Sequence, residues 1–221
     1  MTITLHYFGP PGRAEVTRLL LTLGGVQFEE KRYGFGSPEW LEFKKKTPFG
    51  QAPVIELDNG EMIAQTAAVE AYAATMGGLL PKDPLSLARV FEGVHLSHEI
   101  IEPFYNSMSI KDEAARLEKR KDLVKNYLPA HLKLISDYVN AKIQKTNAFL
   151  FGETPSYADL AFFNAMGMLA SGIFDGVPSF KEIFADYPVL LTLHKRVGTS
   201  PAIKAFYAKE TDDIRKNYRY D

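Results

Sequence analysis

Apolar and polar residues alternate from the first positions of the chain. Ile3, Leu5 and Tyr7 interleave with Thr2, Thr4 and His6, the period-2 pattern of a half-buried strand. Phe8-Gly9-Pro10-Pro11-Gly12 breaks that pattern, and an apolar, helix-prone run from Arg13 to Leu23 then stops at Gly24-Gly25, where glycine suits a helix C-terminus. Gln27 to Tyr33 reads as a second short strand, and a strand, helix, strand unit makes a right-handed parallel crossover. Residues 34–46 read as irregular or as a weak helix around Trp40, followed by Lys44, Lys45 and Lys46. Pro53 to Leu57 and Glu61 to Ala64 flank Asp58-Asn59-Gly60, and Asn-Gly between apolar runs is a strong hairpin signal. Thr66 is placed to cap a helix over Ala67 to Thr75 that Gly77-Gly78 ends,. The order βαβ then ββα predicts a thioredoxin-like domain over residues 1–78.

Residues 79–84 carry linker composition, and past them strand signals vanish,. An all-helical domain is expected over 85–221, so the fold class is α/β plus all-α. One helix is predicted from about Leu85 to Phe104. In a longer one Leu128, Leu132, Ile135 and Val139 recur at helical spacing, with Pro129 implying a kink or restart,. Ser156-Tyr157-Ala158-Asp159 before an apolar run has the form of a capping box,, which gives Asp159 a folding role. Pro188 and Pro201 fall where helices start,.

Composition narrows the chemistry. Twenty-six Lys and Arg against 27 Asp and Glu leave a formal net charge of -1 over 221 residues, so no overall field points to nucleic acid or to an anionic membrane. No apolar run approaches the roughly 20 residues of a membrane helix, and the N-terminus lacks a basic region followed by an apolar one,. A cytoplasmic protein is expected. The absence of cysteine removes disulfides, thiolate metal sites and cysteine nucleophiles, so thiol chemistry would use a thiol brought by a ligand. The five histidines show no metal-like spacing with an acidic partner, and no metal is expected.

The stretch Thr47-Pro48-Phe49-Gly50-Gln51-Ala52-Pro53-Val54 has the character of a functional loop. Pro53 can only open a strand or sit at its edge, and Ala52 before it is pushed into an extended conformation. The Ala52 backbone can then pair with a peptide lying outside the sheet. Pro53 is also a candidate cis proline.

Taken together, Tyr7-Phe8 ahead of Gly12-Arg13-Ala14-Glu15, Trp40 with Lys44, Gly50-Gln51-Ala52-Pro53-Val54, Gln65-Thr66, Leu128-Pro129 and Ser156 to Leu160 resemble the cytosolic glutathione transferases over essentially the whole chain. The tyrosine type, with sigma and pi nearest, is the group it looks like. The resemblance implies a homodimer that conjugates reduced glutathione, a co-substrate, to small hydrophobic electrophiles in detoxification, with no permanently bound cofactor. It implies Tyr7 as the catalytic hydroxyl and Arg13 as its support. Trp40 and Lys44 would meet the glycine end of glutathione, Gln51, Ala52 and Pro53 its backbone, and Gln65 with Thr66 its γ-glutamyl end. Phe8, which also borders glutathione, Tyr105, Met108 and Phe206 would form the electrophile site. Glu99, with Glu92 and Glu102 as rivals on one helix, would reach the γ-glutamyl amine in the neighbouring subunit. Phe49 would insert into the partner's second domain as in pi and alpha members; the alternative folds it back beneath Trp40. Departures from the usual pattern are Thr66 for serine, Glu70 for arginine and Pro11 before Gly12, the last two bearing on the mouth of the second-substrate site. A glutathione-dependent isomerase or peroxidase would use the same thiolate, and a non-catalytic, lens-type or ligand-carrying relative would keep the shape without turnover.

Overall fold

The computed structural model describes residues 2–220, and contacts divide the chain into two units, Met1–Leu80 and Pro81–Asp221. In the first, β1 (Ile3–Phe8) leads into a tight 3-10 turn over Gly12–Ala14 and then α1 (Glu15–Leu23). Gly25, at φ +66°, ends α1 by letting the Val26 N–H reach the Leu21 carbonyl at 2.9 Å, the six-to-one closure of a glycine C-cap. β2 runs over Glu29–Tyr33, two residues shorter than the pattern suggests, because its pairing with β1 begins only at Thr4 opposite Glu29. Ser37 caps α2 (Pro38–Lys44) by accepting from the Trp40 N–H at 3.2 Å, with Pro38 in the first turn where its missing donor costs nothing,.

After α2 come β3 (Val54–Leu57), β4 (Met62–Ala64) and α3 (Thr66–Met76). The sheet order is β2-β1-β3-β4, with β1 and β2 parallel and the other pairs antiparallel. Ile3, Leu5 and Tyr7 face one side of β1; Thr4, His6 and Phe8 face the other, where His6 stacks on Phe43 of α2,. Helices α1 and α3 approach through Gly24 and Gly77, so closely that a Cβ on Gly24 would lie 2.3 Å from the Gly77 Cα.

Thr66 does not cap α3. The capping position is Gln65, at φ +75°, and Thr66 is already helical. A non-glycine residue in that region is strained and marks a place where surrounding structure, and often a ligand, dictates the backbone.

The second unit holds α4 (Pro84–Ser107), α5 (Glu113–Asp122), α6 (Leu128–Thr146), α7 (Tyr157–Leu169), α8 (Phe180–Phe184), α9 (Pro188–Thr199) and α10 (Pro201–Tyr207). Asp83 caps α4 through the Ser86 N–H at 2.8 Å, so the helix starts at Pro84 and runs past Pro103 to Ser107, longer at both ends than the sequence pattern indicates. Pro129 lies in the first turn of α6, the restart the sequence implies, after a π-helical turn, Leu123–Tyr127, that joins α5 to α6,. Every residue of α7 is buried. Gly93 of α4 lets α7 close in, since a Cβ there would sit 3.0 Å from that of Ala158.

Candidate active site

Tyr7 lies near the end of β1 with only 9% of its surface exposed. Its hydroxyl oxygen accepts the backbone N–H of Arg13 at 2.9 Å. The sequence points to Arg13 as support for Tyr7, and it is the main chain, turned by the Gly12–Ala14 helix, that makes this bond. Gly12 is at φ +53°, and a Cβ there would come 2.5 Å from the Tyr7 hydroxyl oxygen. Burial pushes the Tyr7 phenol above its usual range, outweighing the opposing Arg13 N–H bond and the nearby cations Arg18 and Arg13. At neutral pH the group is a protonated phenol with one lone pair engaged, so its O–H is there to be donated.

Behind Tyr7 stands Arg18, a fully buried cation whose guanidinium carbon is 5.7 Å from the tyrosine ring centroid. It donates to Glu15 at 2.6 Å, Glu30 at 2.6 Å, the Pro11 carbonyl at 3.0 Å and the Phe8 carbonyl at 3.2 Å. A buried charge persists only when paired and hydrogen-bonded, and this one ties the loop that follows Tyr7 to α1 and β2. Pro11 is thus part of a buried support, and Glu70 is likewise buried, so neither lines an open mouth.

An aromatic wall extends from Tyr7. Phe8 lies 5.3 Å from the Tyr7 ring, meets Trp40 edge-on at 5.0 Å and stacks on Phe35 at 4.3 Å. Phe35, 69% exposed, was not among the residues singled out above; its only sequence signal is the flanking Gly34 and Gly36, which leave its ring the sole side chain of a flexible turn. Lys44 runs along the loop, its Cε 3.4 Å from where a Cβ on Gly50 would be. Gln65 donates to the Gln51 side chain at 3.2 Å. The Ala52–Pro53 peptide is cis, Pro53 is buried, and the β3 ladder begins only at Val54, leaving Ala52 outside it. Tyr7, Phe8, Arg13, Trp40, Lys44, Gln51, Ala52, Pro53, Gln65 and Thr66 therefore all lie in the first unit, on β1, the Gly12–Ala14 turn, α2, the loop between α2 and β3, and the start of α3.

In the second unit Tyr105 is half-buried edge-on against Phe174 at 5.6 Å, Met108 is 50% exposed at the end of α4, and Phe206 packs on Tyr207 in α10. Glu99 is exposed on α4, 3.9 Å from His131. Phe49 is 62% exposed, so it does not fold back beneath Trp40. Among the described residues no group of three or more His, Asp or Glu is placed to hold a metal ion, and no helix is long and apolar enough to cross a membrane.

Comparison with known proteins agrees with this architecture. The family model described as glutathione S-transferase, N-terminal domain, matches residues 3–75, and that of the C-terminal domain matches residues 98–210. The chain is 30% identical over 204 residues to glutathione S-transferase 2 of Manduca sexta, covering 92% of this chain and 94% of that protein. It is 27% identical to S-crystallin 4 of Enteroctopus dofleini over 94% and 96% of the two chains. Its fold matches that of prostaglandin synthase D of Nilaparvata lugens with a TM-score of 0.82, at 22% identity, over 96% of this chain and all of that one.

Proposed function

Since the chain belongs to the glutathione S-transferase family, we propose that it transfers the sulfur of reduced glutathione to small hydrophobic electrophiles, with Tyr7 as the group that stabilises the thiolate. The observation that carries this reading is the Tyr7 hydroxyl itself: buried, oriented by the Arg13 N–H and kept protonated by burial. A phenol so placed can accept one bond and still donate one. A free thiol has a pKa of about 8.5 and is mostly uncharged at neutral pH; an O–H donated to sulfur favours its charged form. Lowering that pKa by about two units needs ~2.7 kcal/mol, within the range of one charge-assisted bond in a partly desolvated site. A larger shift would cost nucleophilicity, so a weak donor such as tyrosine suits the task.

The remaining residues fit the rest of the tripeptide. Lys44 and Trp40 suit a carboxylate at its glycine end, and the Ala52 backbone suits antiparallel pairing with its main chain. The first turn of α3, beginning at Thr66 with no side chain capping it, suits the γ-glutamyl carboxylate; Glu99 of a second subunit would meet the amine. Phe8, extended by Phe35, forms an aromatic face for a flat electrophile. The protein would act in the cytoplasm as a homodimer in which Phe49 reaches the partner, with no resident cofactor.

Tyr7→Phe is the test. Turnover with an aryl halide should fall roughly a hundredfold while glutathione binding changes little, because the lost bond is made to the thiolate rather than to the ligand as a whole. The ionisation of bound thiol, followed by its absorbance, should move toward the free value. A variant with unaltered turnover and unaltered thiol ionisation overturns the assignment. Running the parent on isothiocyanates, hydroperoxides and endoperoxides as well separates conjugation from peroxidase or isomerase chemistry; no turnover on any of them would place it with non-catalytic relatives.

A further inference from the structure

A chain of hydrogen bonds crosses the sheet on the side facing α2. Glu56, His6 and Tyr33 belong to β3, β1 and β2. In the register of the sheet Glu56 stands opposite Thr4, His6 opposite Lys31, and Phe8 opposite Tyr33, so the three side chains form a diagonal row on one face. His6 is 1% exposed. Its Nε2 lies 2.9 Å from the Glu56 carboxylate and its Nδ1 lies 2.8 Å from the Tyr33 hydroxyl. The carboxylate can only accept, which assigns the imidazole proton to Nε2 and leaves Nδ1 to accept the Tyr33 O–H. Both ring nitrogens are thereby satisfied, and the Tyr33 ring is fixed in orientation.

What rests on those two rings is α2. Phe43 lies parallel to His6 at 4.1 Å and to Tyr33 at 5.4 Å, and Trp40 contacts Tyr33 at 5.7 Å. Seven residues are too few for a helix to hold its shape unaided, so these stacks, with the Ser37 cap, set where α2 sits. Tyr33 itself ends an edge strand whose Lys31 and Arg32 are exposed, so the His6 bond holds the hydroxyl end of a ring whose faces meet Phe43, Trp40 and His6. A purely apolar contact would bury as much surface; a fully satisfied polar chain adds a single geometry.

We propose that Glu56, His6 and Tyr33 act as a relay that positions Trp40 and Lys44 for glutathione, with His6 and Tyr33 as positioning residues rather than catalytic ones. This rests on the reading of the site given above.

The sole tryptophan of the chain is Trp40, which makes the test direct. In the full-length protein, Tyr33→Phe removes one hydroxyl and keeps the ring, while His6→Phe keeps a stacking ring and removes both bonds. Tyr33→Phe should raise KM for glutathione about 3- to 10-fold, the range expected for one lost intramolecular hydrogen bond. His6→Phe, which loses both bonds, should raise it at least as much, and both variants should leave kcat at saturating glutathione unchanged. The emission of Trp40 in the ligand-free protein should shift to the red and become more easily quenched by acrylamide. The double variant should go no further than His6→Phe, because the two act in one chain. An unchanged KM and emission in Tyr33→Phe overturns the relay, as does lower thermal stability with no change in either. Equal losses in kcat and kcat/KM overturn it too, since they would put the effect on the reaction rather than on positioning. If His6→Phe fails to fold, Tyr33→Phe decides alone. Should the parent show no glutathione binding, the reading of the site falls, whereas the Trp40 emission of the two variants still decides whether the relay sets the position of α2.

Discussion

Gly12 shows at the scale of one residue how the reactive hydroxyl is given its place. It adopts φ +53°, and the space its missing side chain leaves is where the Tyr7 hydroxyl sits, 2.5 Å from a would-be Cβ. The backbone cannot retreat, because the next residue donates its N–H to that same oxygen. Gly12→Ala is therefore expected to displace the Tyr7 ring tip and lower kcat/KM at least tenfold, with a left-handed alanine costing about 1 kcal/mol of stability. Turnover measured beside a denaturant melt checks this; an alanine variant of full activity would show that Tyr7 has room to move. Tyr7 was legible in the sequence because strand alternation and the glycine-rich break place it at a strand end. The use of Gly12 was not, since a turn glycine looks the same whether it supplies a dihedral or a cavity. Arg18 was illegible for a related reason: its partners Glu30, Pro11 and Phe8 come from other elements, and a lone arginine in an apolar helix gives no sign of them.

Elements whose signals are local were read correctly. The box at α7 is formed as the sequence suggests, with Asp159 accepting from the Ser156 N–H at 2.8 Å, and it goes further by accepting from the Leu150 N–H at 3.0 Å. The Asn59-Gly60 turn joins β3 to β4. Misread elements are those whose ends depend on distant partners, such as α3, where the backbone at Gln65 overrides the capping preference of Thr66. The C-terminal segment gave no legible signal at all. Its Tyr218 and Tyr220 rings fill notches at Gly167 and Gly198, and the Tyr220 hydroxyl is hydrogen-bonded with His194 Nδ1 at 2.6 Å. Burial drives the His194 pKa down from 6.5 to about 3. The folded state thus binds fewer protons than the unfolded one between those values, so the stability this group contributes is fully present above pH 6.5 and is lost as pH falls toward 3. His194→Phe, which suits the surrounding Phe163 and Phe180 rings, should flatten the dependence of the melting temperature on pH across that window. A variant with the parental slope would mean that other groups carry the acid sensitivity.

For the whole molecule, the proposed dimer accounts for an aromatic that its own unit leaves uncovered. Phe49 is 62% exposed, so its ring is free to be buried by a second subunit in the proposed dimer. The helical unit offers a site of the right chemistry: a cavity of about 390 Å³ lined by Leu85, Val90 and Phe151 together with Arg89 and Lys142. The Lys142 ammonium already lies 5.0 Å from the Phe151 ring centroid and 5.2 Å from that of Tyr138, so an incoming ring would meet both apolar walls and a cation at its face. In a two-fold dimer each subunit gives one ring and receives one. The sequence exposes the ring but not its socket, because Leu85, Lys142 and Phe151 are brought together only by folding. At about 2 kcal/mol per ring, Phe49→Ala should weaken the dimer roughly a thousandfold for the two rings together, seen as dissociation across a dilution series in sedimentation. Leu85→Glu, which places a charge in the socket, should act in the same direction without touching the loop. If Phe49→Ala remains as tightly dimeric as the parent while Leu85→Glu dissociates, the cavity is part of the interface but takes another group. If neither dissociates, the subunits associate through a flatter surface and the exposed Phe49 serves no contact between copies.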